Sequence, residues 1–383
     1  MCPVMMRRMT VCLCLILCVL CSCRHEETRG EENGRTLLVY MVAGNNLESD
    51  MRGNVVDMCN GLKRTNRPCR LVVYWDGLQG NPKISSYWAD GAGHVGKEEV
   101  LQTYEVQNSA SPEVLKTVLT DMMRLCPSES YGLILSSHGT GWLPADKRTR
   151  AFGVENNVWM ESDDMAHVLE EVAEKPFDYI MFDACLMADV QVAYELRHAA
   201  SYLIASVAEV LSAGFPYESL MPYFYLDDAE QSASAIARLY IQYYRSVTPS
   251  WGTMSVVRCG ELERLAASMK GLLDRYPDWQ QRVNVRQLQK YDRMVLGFDY
   301  SIVDCRDFAN HVASPDVPQE FLEQLTRTLL YSDYVESNLI VSIDGSKYSG
   351  LGMYVPQVEK PKWNEFFRRY AWCEAAGFSA FDF

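Results

Sequence analysis

Runs of consecutive apolar residues alternate along this chain with segments whose apolar residues recur at helical spacing. The runs have no polar face, which is typical of strands that are buried on both sides of a sheet. Strands of this kind, joined by amphipathic helices, predict an α/β fold with a mostly parallel central sheet and helices on both faces. The runs occupy residues 36–43, 70–77, 131–137, 177–182 and 201–206.

The pattern becomes mostly helical beyond residue 214. No long flexible linker precedes this part, so we expect a helix-rich C-terminal region, residues 231–383, that packs on a first region, residues 36–230. Its predicted helices cover residues 231–247, 261–276 and 318–331, and its predicted short strands cover residues 254–258, 339–343 and 352–355.

The first residues have the features of an export signal. Two arginines precede an apolar run, residues 11–21, that is too short to span a bilayer as a mature helix. The run ends in Leu20-Cys21-Ser22-Cys23, which resembles the signal of bacterial lipoproteins. The resemblance implies that residues 1–22 are removed and that Cys23 becomes the lipidated first residue; an ordinary signal peptide cut nearby is the alternative.

Residues 23–35 are polar and charged, which is typical of a tether. We therefore expect an exported protein, lipid-anchored to the bacterial cell envelope at the outer membrane or the cell surface. The formal net charge of −14 argues against nucleic acid as a partner.

Cysteine usage gives no support for a metal or redox centre. Six of the 13 cysteines lie in the leader, and the remaining seven form no Cys-x-x-Cys pair, so zinc and thioredoxin-like chemistry are not indicated. In an oxidising compartment Cys59 and Cys69 form the nearest possible disulfide pair. We expect most of the seven to be scattered buried thiols.

Two residues that can carry chemistry follow the ends of apolar strands. His138 lies between a buried strand and a Gly-Thr-Gly turn, and Cys185 comes soon after the strand at residues 177–182. The carboxyl ends of parallel strands meet at one edge of a sheet, so the two side chains meet there if their strands are neighbours. Taken alone, the histidine is equally well a structural turn residue, and the cysteine a core thiol.

A cysteine at such an edge needs little activation as a nucleophile, because its thiol ionises near neutral pH. We expect a helix that begins just after Cys185 to favour the thiolate further through its dipole. The backbone N–H groups of Cys185 and Gly139 are candidates for an oxyanion hole, where glycine permits a close approach.

The sequences around these two residues are similar to the paired catalytic motifs of the clostripain family, which are cysteine peptidases with a caspase-like α/β fold. The motifs are Leu-Ile-Leu-Ser-Ser-His138-Gly-Thr-Gly-Trp and Phe-Asp183-Ala-Cys185-Leu-Met. Three further stretches agree in the right order, at residues 40–47, 205–217 and 350–356. The resemblance thus covers most of the chain after the leader and implies a caspase-like catalytic domain over residues 36–230 that the C-terminal region completes.

The resemblance implies that Cys185 and His138 form a catalytic dyad and that protein or peptide substrates are cleaved after Arg or Lys. Asp183 would line the pocket for the basic side chain; a structural acid at the strand end is the alternative. Two positions depart from the family, since Gly44 and Ala213 stand where relatives commonly carry an acid. If the acid that relatives carry at the position of Ala213 lines their pocket, the pocket of this protein has one negative charge fewer.

Family members also resemble zymogens that are cut between the His and Cys motifs. Residues 144–151 form a polar, turn-like segment with three basic residues. We expect self-cleavage after Arg150, with Arg148 and Lys147 as alternatives. No metal site and no required cofactor are predicted, although some relatives depend on calcium. The rival interpretations are an inactive surface-binding relative and a peptidase with a different primary specificity.

Overall fold

The fold is organised around a nine-stranded sheet whose five central strands are parallel. The structure is a computed structural model and describes residues 34–143, 152–155, 158–292 and 301–383. The strands run in the order β12-β10-β9-β8-β5-β1-β2-β3-β4. Their bounds are β1 Arg35–Ala43, β2 Cys69–Gly77, β3 Lys83–Ala89, β4 Glu99–Thr103, β5 Ser130–Ser136, β8 Phe177–Asp183, β9 Ala200–Ala205, β10 Thr253–Arg258 and β12 Leu329–Tyr334.

Two small sheets accompany it: β6 Phe152–Glu155 pairs with β7 Val158–Met160, and β11 Val303–Asp304 pairs with β13 Gly352–Met353. The described helices are α1 Glu48–Leu62, α2 Pro112–Leu125, α3 Ser162–Val172, α4 Val190–Glu195, α5 Tyr217–Phe224, α6 Ala229–Ser246, α7 Leu262–Arg275, α8 Trp279–Arg282, α9 Cys305–Ala313, α10 Gln319–Thr328, α11 Pro361–Phe367 and α12 Ala371–Ala375.

Helices cover both faces of the sheet, as the apolar strands predicted. Side chains along β1 alternate between the two faces. Leu37, Val39 and Met41 join the core under α1, α5 and α6, whereas Leu38 and Tyr40 join the larger core under α2, α3, α4 and the C-terminal helices. Because β1 is buried on both faces, its run of apolar residues has no polar gap.

The C-terminal region contributes to the same sheet. Strand β10 pairs antiparallel with β9, and β12 pairs antiparallel with β10. The predicted helix over residues 318–331 was wrong at its end, because α10 stops at Thr328 and the next residues form β12. The predicted strand at residues 339–343 is also wrong, since this stretch has no regular structure. At the end of α10, backbone pairing with β10, which is distant in sequence, outweighs local spacing.

Of the residues that the structure describes, none forms a helix long and apolar enough to cross a membrane. The seven described cysteines are free thiols, including the Cys59 and Cys69 considered above. Most of them are buried, as scattered core thiols predict.

Candidate active site

His138 and Cys185 follow neighbouring parallel strands, β5 and β8. The two strands pair in register up to Ser136 and Asp183, and the Ser137 N–H donates to the Asp183 carbonyl at 3.3 Å. A Cβ on Gly139 would stand 2.8 Å from the carbonyl oxygen of Cys185, so this turn has room only for glycine. The segment after β5 therefore lies directly against the segment after β8, as the strand-end argument predicted.

The His138 imidazole is half-buried and its Nε2 lies 2.8 Å from Oδ1 of Asn46. With an amide oxygen as the acceptor, Nε2 carries the proton and Nδ1 is the basic nitrogen of the neutral ring. Asn46 follows β1, the other neighbour of β5. Sequence reasoning noted the stretch around Asn46 but gave the residue no role, although it too follows the end of a buried parallel strand.

The Cys185 thiol is held by the backbone of Val210. The Val210 N–H donates to Sγ at 3.3 Å, and the thiol faces the Val210 carbonyl oxygen at 3.7 Å. Burial raises the pKa of Cys185 to about 12; the Val210 N–H acts in the lowering direction, and the carboxylates of Glu209 and Asp183 add to the rise. The resting thiol is thus protonated.

The helix predicted after β8, over residues 189–199, is present, but it does not begin just after Cys185. Helix α4 begins only at Val190, with Asp189 as its N-cap. The intervening residues form an irregular loop in which Leu186 has a φ of 64°. The N-terminus of α4 therefore does not directly follow the thiol, which is consistent with a raised rather than a lowered pKa.

This loop is paired with the segment that follows β9. The Leu186 N–H donates to the Ala208 carbonyl, and the Ala188 N–H donates to the Ser206 carbonyl, both at 2.9 Å. Between these contacts and Val210 lies Glu209, which is only 5% exposed. Sequence reasoning gave Glu209 no role, because nothing in the local pattern shows that this segment runs beside the thiol.

Asp183 is buried at the end of β8, two residues before Cys185. The Tyr217 hydroxyl donates to its Oδ2 at 2.8 Å. Burial raises the pKa of Asp183 to about 6, against the lowering effect of hydrogen bonds from Tyr217 and Ser136. A buried carboxylate at this position is an acceptor for a cation.

Gly214 closes the other side of the Asp183 carboxylate. Its φ is +69°, and a Cβ there would lie 2.9 Å from Oδ2 of Asp183 and 2.8 Å from the amide nitrogen of Asn54. The Tyr244 hydroxyl donates to the Gly214 carbonyl at 2.6 Å. Ala213, where relatives commonly have an acid, is exposed beside it.

A second pair of carboxyl groups, Asp76 and Glu155, is buried where β2 ends and β6 passes. The Ser109 N–H donates to Glu155 Oε2 at 2.6 Å, and the Ser109 hydroxyl donates to Asp76. Burial raises the pKa of Glu155 to about 7; the Ser109 N–H lowers it, and Asp76 raises it further. A Cβ on Gly44 would stand 3.4 Å from the Glu155 side chain. Glu155 therefore lies beside the position at which relatives commonly carry an acid in place of Gly44.

Four predicted residues, Cys23, Lys147, Arg148 and Arg150, lie outside the described residues. Within residues 34–143, 152–155, 158–292 and 301–383, no three His, Cys, Asp or Glu side chains are grouped so that they could hold a metal ion. Calcium dependence and the oxyanion-hole role of the Gly139 and Cys185 N–H groups stay predictions.

Comparisons of the sequence and of the structure with known proteins point to the same family. The sequence profile of the clostripain family of peptidases matches residues 39–360. Clostripain of Hathewaya histolytica is 26% identical over 220 residues, in a match that covers 48% of this chain and 41% of that protein and so spans less than half of the relative's length.

Two solved structures are similar over nearly the whole chain. An inactive zymogen C11 protease from Parabacteroides distasonis is 30% identical with a TM-score of 0.78, over 90% of this chain and 98% of that one. A secreted C11 cysteine protease from Bacteroides thetaiotaomicron, in complex with an irreversible peptide inhibitor, is 26% identical with a TM-score of 0.78, over 91% of this chain and 100% of that one.

Proposed function

The chain belongs to the clostripain family and is a cysteine peptidase with a caspase-like fold, and on this premise we propose that it is an endopeptidase that cleaves after Arg or Lys. Cys185 is the proposed nucleophile and His138 its partner. The observation that carries the specificity is the buried Asp183 carboxylate, two residues from the thiol.

In the proposed mechanism, Sγ of Cys185 attacks the carbonyl carbon of the scissile bond while its proton passes to Nδ1 of His138. Because burial raises the pKa of the thiol, the transfer accompanies the attack instead of preceding it. The imidazolium then gives the proton to the leaving amine, which departs and leaves a thioester. Water attacks the thioester while its proton passes to His138; His138 then gives this proton to Sγ as the C–S bond breaks, and the carboxyl product leaves.

Asp183 supplies the negative charge that a buried guanidinium or ammonium group requires. A cation placed in a buried pocket without a partner costs several kcal/mol. The carboxylate removes this cost for a basic side chain and gives a neutral side chain no comparable gain. The Tyr217 hydrogen bond fixes the orientation of this carboxylate.

The test is a peptide library that varies only the P1 residue, the residue whose carbonyl is attacked. We expect Asp183→Asn to reduce kcat/KM for Arg and Lys substrates on the order of 100-fold and to change neutral substrates little. In the wild type, cleavage of basic substrates should fall as pH drops below about 6, because the carboxylate is then protonated. Asp274→Asn, at an exposed position of α7, is the control, and Cys185→Ala should cleave nothing.

An unchanged ratio of basic to neutral cleavage in folded Asp183→Asn would refute the proposed pocket. A different primary specificity is the second candidate, and it is favoured by Ala213, which leaves this side of the pocket without the acid of relatives. The same library separates the two, since that candidate predicts a non-basic optimum in the wild type.

We further propose that the enzyme is made as a zymogen and is cut by its own activity after Arg150, with Arg148 and Lys147 as alternatives. Support comes from the basic residues between the two motifs. It also comes from the similarity to the Parabacteroides distasonis protein, an inactive zymogen.

We propose in addition that the protein is exported and anchored to the cell envelope by lipid at Cys23. The leader sequence supports this, and the similar Bacteroides thetaiotaomicron protease is a secreted protein. Cys23→Ser should move the protein from the membrane fraction to the soluble fraction of the producing cells. A variant that still requires detergent for extraction would exclude this anchor.

A further inference from the structure

Asn54 is a buried polar residue on the apolar face of helix α1. The other long side chains that this face buries are Met51, Met58 and Leu62, and Asn54 lies among them at the same helical spacing. Only 5% of the residue is exposed, and among the residues that the structure describes its side chain makes no hydrogen bond. A buried amide without a partner destabilises a fold, and asparagine is a poor helix former. Packing therefore gives no reason for an asparagine at this position.

The amide of Asn54 lies beside the buried carboxylate of Asp183. A Cβ on Gly214 would stand 2.8 Å from Nδ2 of Asn54 and 2.9 Å from Oδ2 of Asp183, so both side chains border the same small space, which a glycine leaves free. The carboxylate already accepts a hydrogen bond from the Tyr217 hydroxyl, whereas the amide has no partner. Asn54 is thus a polar group that stands next to the proposed P1 pocket with its hydrogen-bonding capacity unused.

A buried guanidinium group needs more acceptors than one carboxylate offers. It has five N–H donors in a plane, whereas an ammonium group has three, and each donor that is buried without an acceptor weakens binding. Part of the capacity of Asp183 is already taken by Tyr217. The amide oxygen of Asn54 is a further acceptor for the guanidinium. Because the amide is neutral, it adds this acceptor without the repulsion that a second buried carboxylate would bring.

We propose that Asn54 is a specificity-determining residue that favours Arg over Lys at P1, because its amide oxygen accepts a hydrogen bond from the guanidinium group that pairs with Asp183. The inference rests on the proposed function and deepens it, since it names which of the two basic residues is preferred. No hydrogen bond of the empty site has to break for the amide to turn its oxygen towards the substrate. The buried amide gains a partner only when an Arg side chain is bound.

The experiment measures kcat/KM for two peptides that differ only at P1, one with Arg and one with Lys, together with the Tm of each protein. The variants are Asn54→Leu, which keeps the branching of the side chain and removes its polar atoms, and Asn54→Ala, which removes the amide without adding volume. Asn60→Leu is the matched control, since Asn60 is half-buried on the same helix and its Oδ1 accepts from Lys63.

We expect the wild type to prefer the Arg peptide. Asn54→Leu should lower kcat/KM for this peptide about tenfold, as expected for the loss of one hydrogen bond to a charged group, and for the Lys peptide roughly threefold or less. Its Tm should rise, because an apolar side chain replaces a buried polar group that has no partner. Asn60→Leu should keep the wild-type ratio of Arg to Lys cleavage.

A wild type that cleaves the Lys peptide better than the Arg peptide would overturn the inference, and this measurement does not depend on whether any variant folds. A lower Tm of Asn54→Leu with an unchanged ratio of Arg to Lys cleavage would show a purely structural role and would overturn it too. If the leucine variant does not fold, an unchanged ratio in Asn54→Ala has the same meaning. Failure of the proposed function is seen separately, as a peptide library without preference for basic P1 residues.

Discussion

At the scale of single residues, the orientation of His138 depends on Asn46. The 2.8 Å contact between Nε2 and Oδ1 holds the ring and selects the tautomer whose basic nitrogen is Nδ1. Asn46 acts through the imidazole and is a positioning residue. Its contribution resembles that of other groups that hold a catalytic histidine in one tautomer.

We expect Asn46→Ala to lower kcat/KM about tenfold to a hundredfold, mainly through kcat, because the ring then samples unproductive orientations. Asn46→Asp should retain more activity and shift the acidic limb of the pH profile upwards, since a carboxylate favours the imidazolium. Kinetics across pH check both, with His138→Ala as the benchmark and Asn60→Ala, near the end of α1, as the control. Wild-type kinetics for Asn46→Ala would remove Asn46 from this role.

The sequence predicts some of these residues and not others for a physical reason. His138 and Asp183 lie at or beside the ends of apolar strands, so the rule that side chains gather at the carboxyl ends of parallel strands places them at one edge of the sheet. Glu209 comes from a segment whose position depends on hydrogen bonds to the loop after Cys185. No local periodicity encodes that pairing, so sequence alone could not find it.

At the scale of elements, a pair of buried carboxyl groups, Glu155 and Asp76, lies where strand β6 meets the central sheet. Glu155 on β6 and Asp76 at the end of β2 both accept hydrogen bonds from Ser109, and each carboxyl group acts on the pKa of the other. One of two adjacent buried carboxyl groups must be protonated for this contact to be favourable. The pair is therefore sensitive to pH, and Glu155 lies directly after the segment proposed for self-cleavage.

The direction of this dependence follows from the raised pKa of Glu155, which is about 7 in the folded protein. The folded state binds the proton more tightly than the unfolded chain, so this stabilisation is complete below the ordinary carboxyl range and is lost as pH rises through about 7. We expect Glu155→Gln, which stays neutral, to abolish this loss. The wild-type Tm should fall by about 2 °C or more relative to the variant between pH 5.5 and 8.

Thermal unfolding over this pH range makes the measurement, and Glu365→Gln on the exposed side of α11 is the control. Parallel Tm curves for the wild type and Glu155→Gln would show that the carboxyl pair does not share a proton in this range.

Dependence on partners that are distant in sequence also explains which elements the sequence predicted correctly and which it did not. Strands β5 and β8 are apolar throughout because helices cover both of their faces, so their composition alone marks them. Strand β12 lies at the sheet edge with every residue half-buried, and its composition continues the helical spacing of α10. Only its pairing with β10 makes it a strand, and that partner lies more than 70 residues earlier in the sequence.

At the scale of the whole molecule, the position of the proposed cut between β5 and β8 determines what happens to the two products. The amino-terminal product contains β1 to β5, and the other contains β8, β9, β10 and β12. Because β5 and β8 are adjacent parallel strands in the middle of the sheet, the products share a ladder of hydrogen bonds and the cores on both faces. Cleavage of a connecting loop leaves these contacts in place, and the two chains should stay associated.

Self-processing predicts that the wild-type protein, purified under native conditions, elutes as one species of unchanged size but separates on a denaturing gel into fragments of about one third and two thirds of the mature length. Cys185→Ala should remain a single chain, since it lacks the nucleophile. Replacing Lys147, Arg148 and Arg150 together by alanine should also prevent the cut while leaving Cys185 in place, and sequencing the new amino terminus identifies the bond. If the wild type hydrolyses peptides at full rate as one uncut chain, the loop is not an activation site, because the intact molecule would already hold a competent Cys185 and His138.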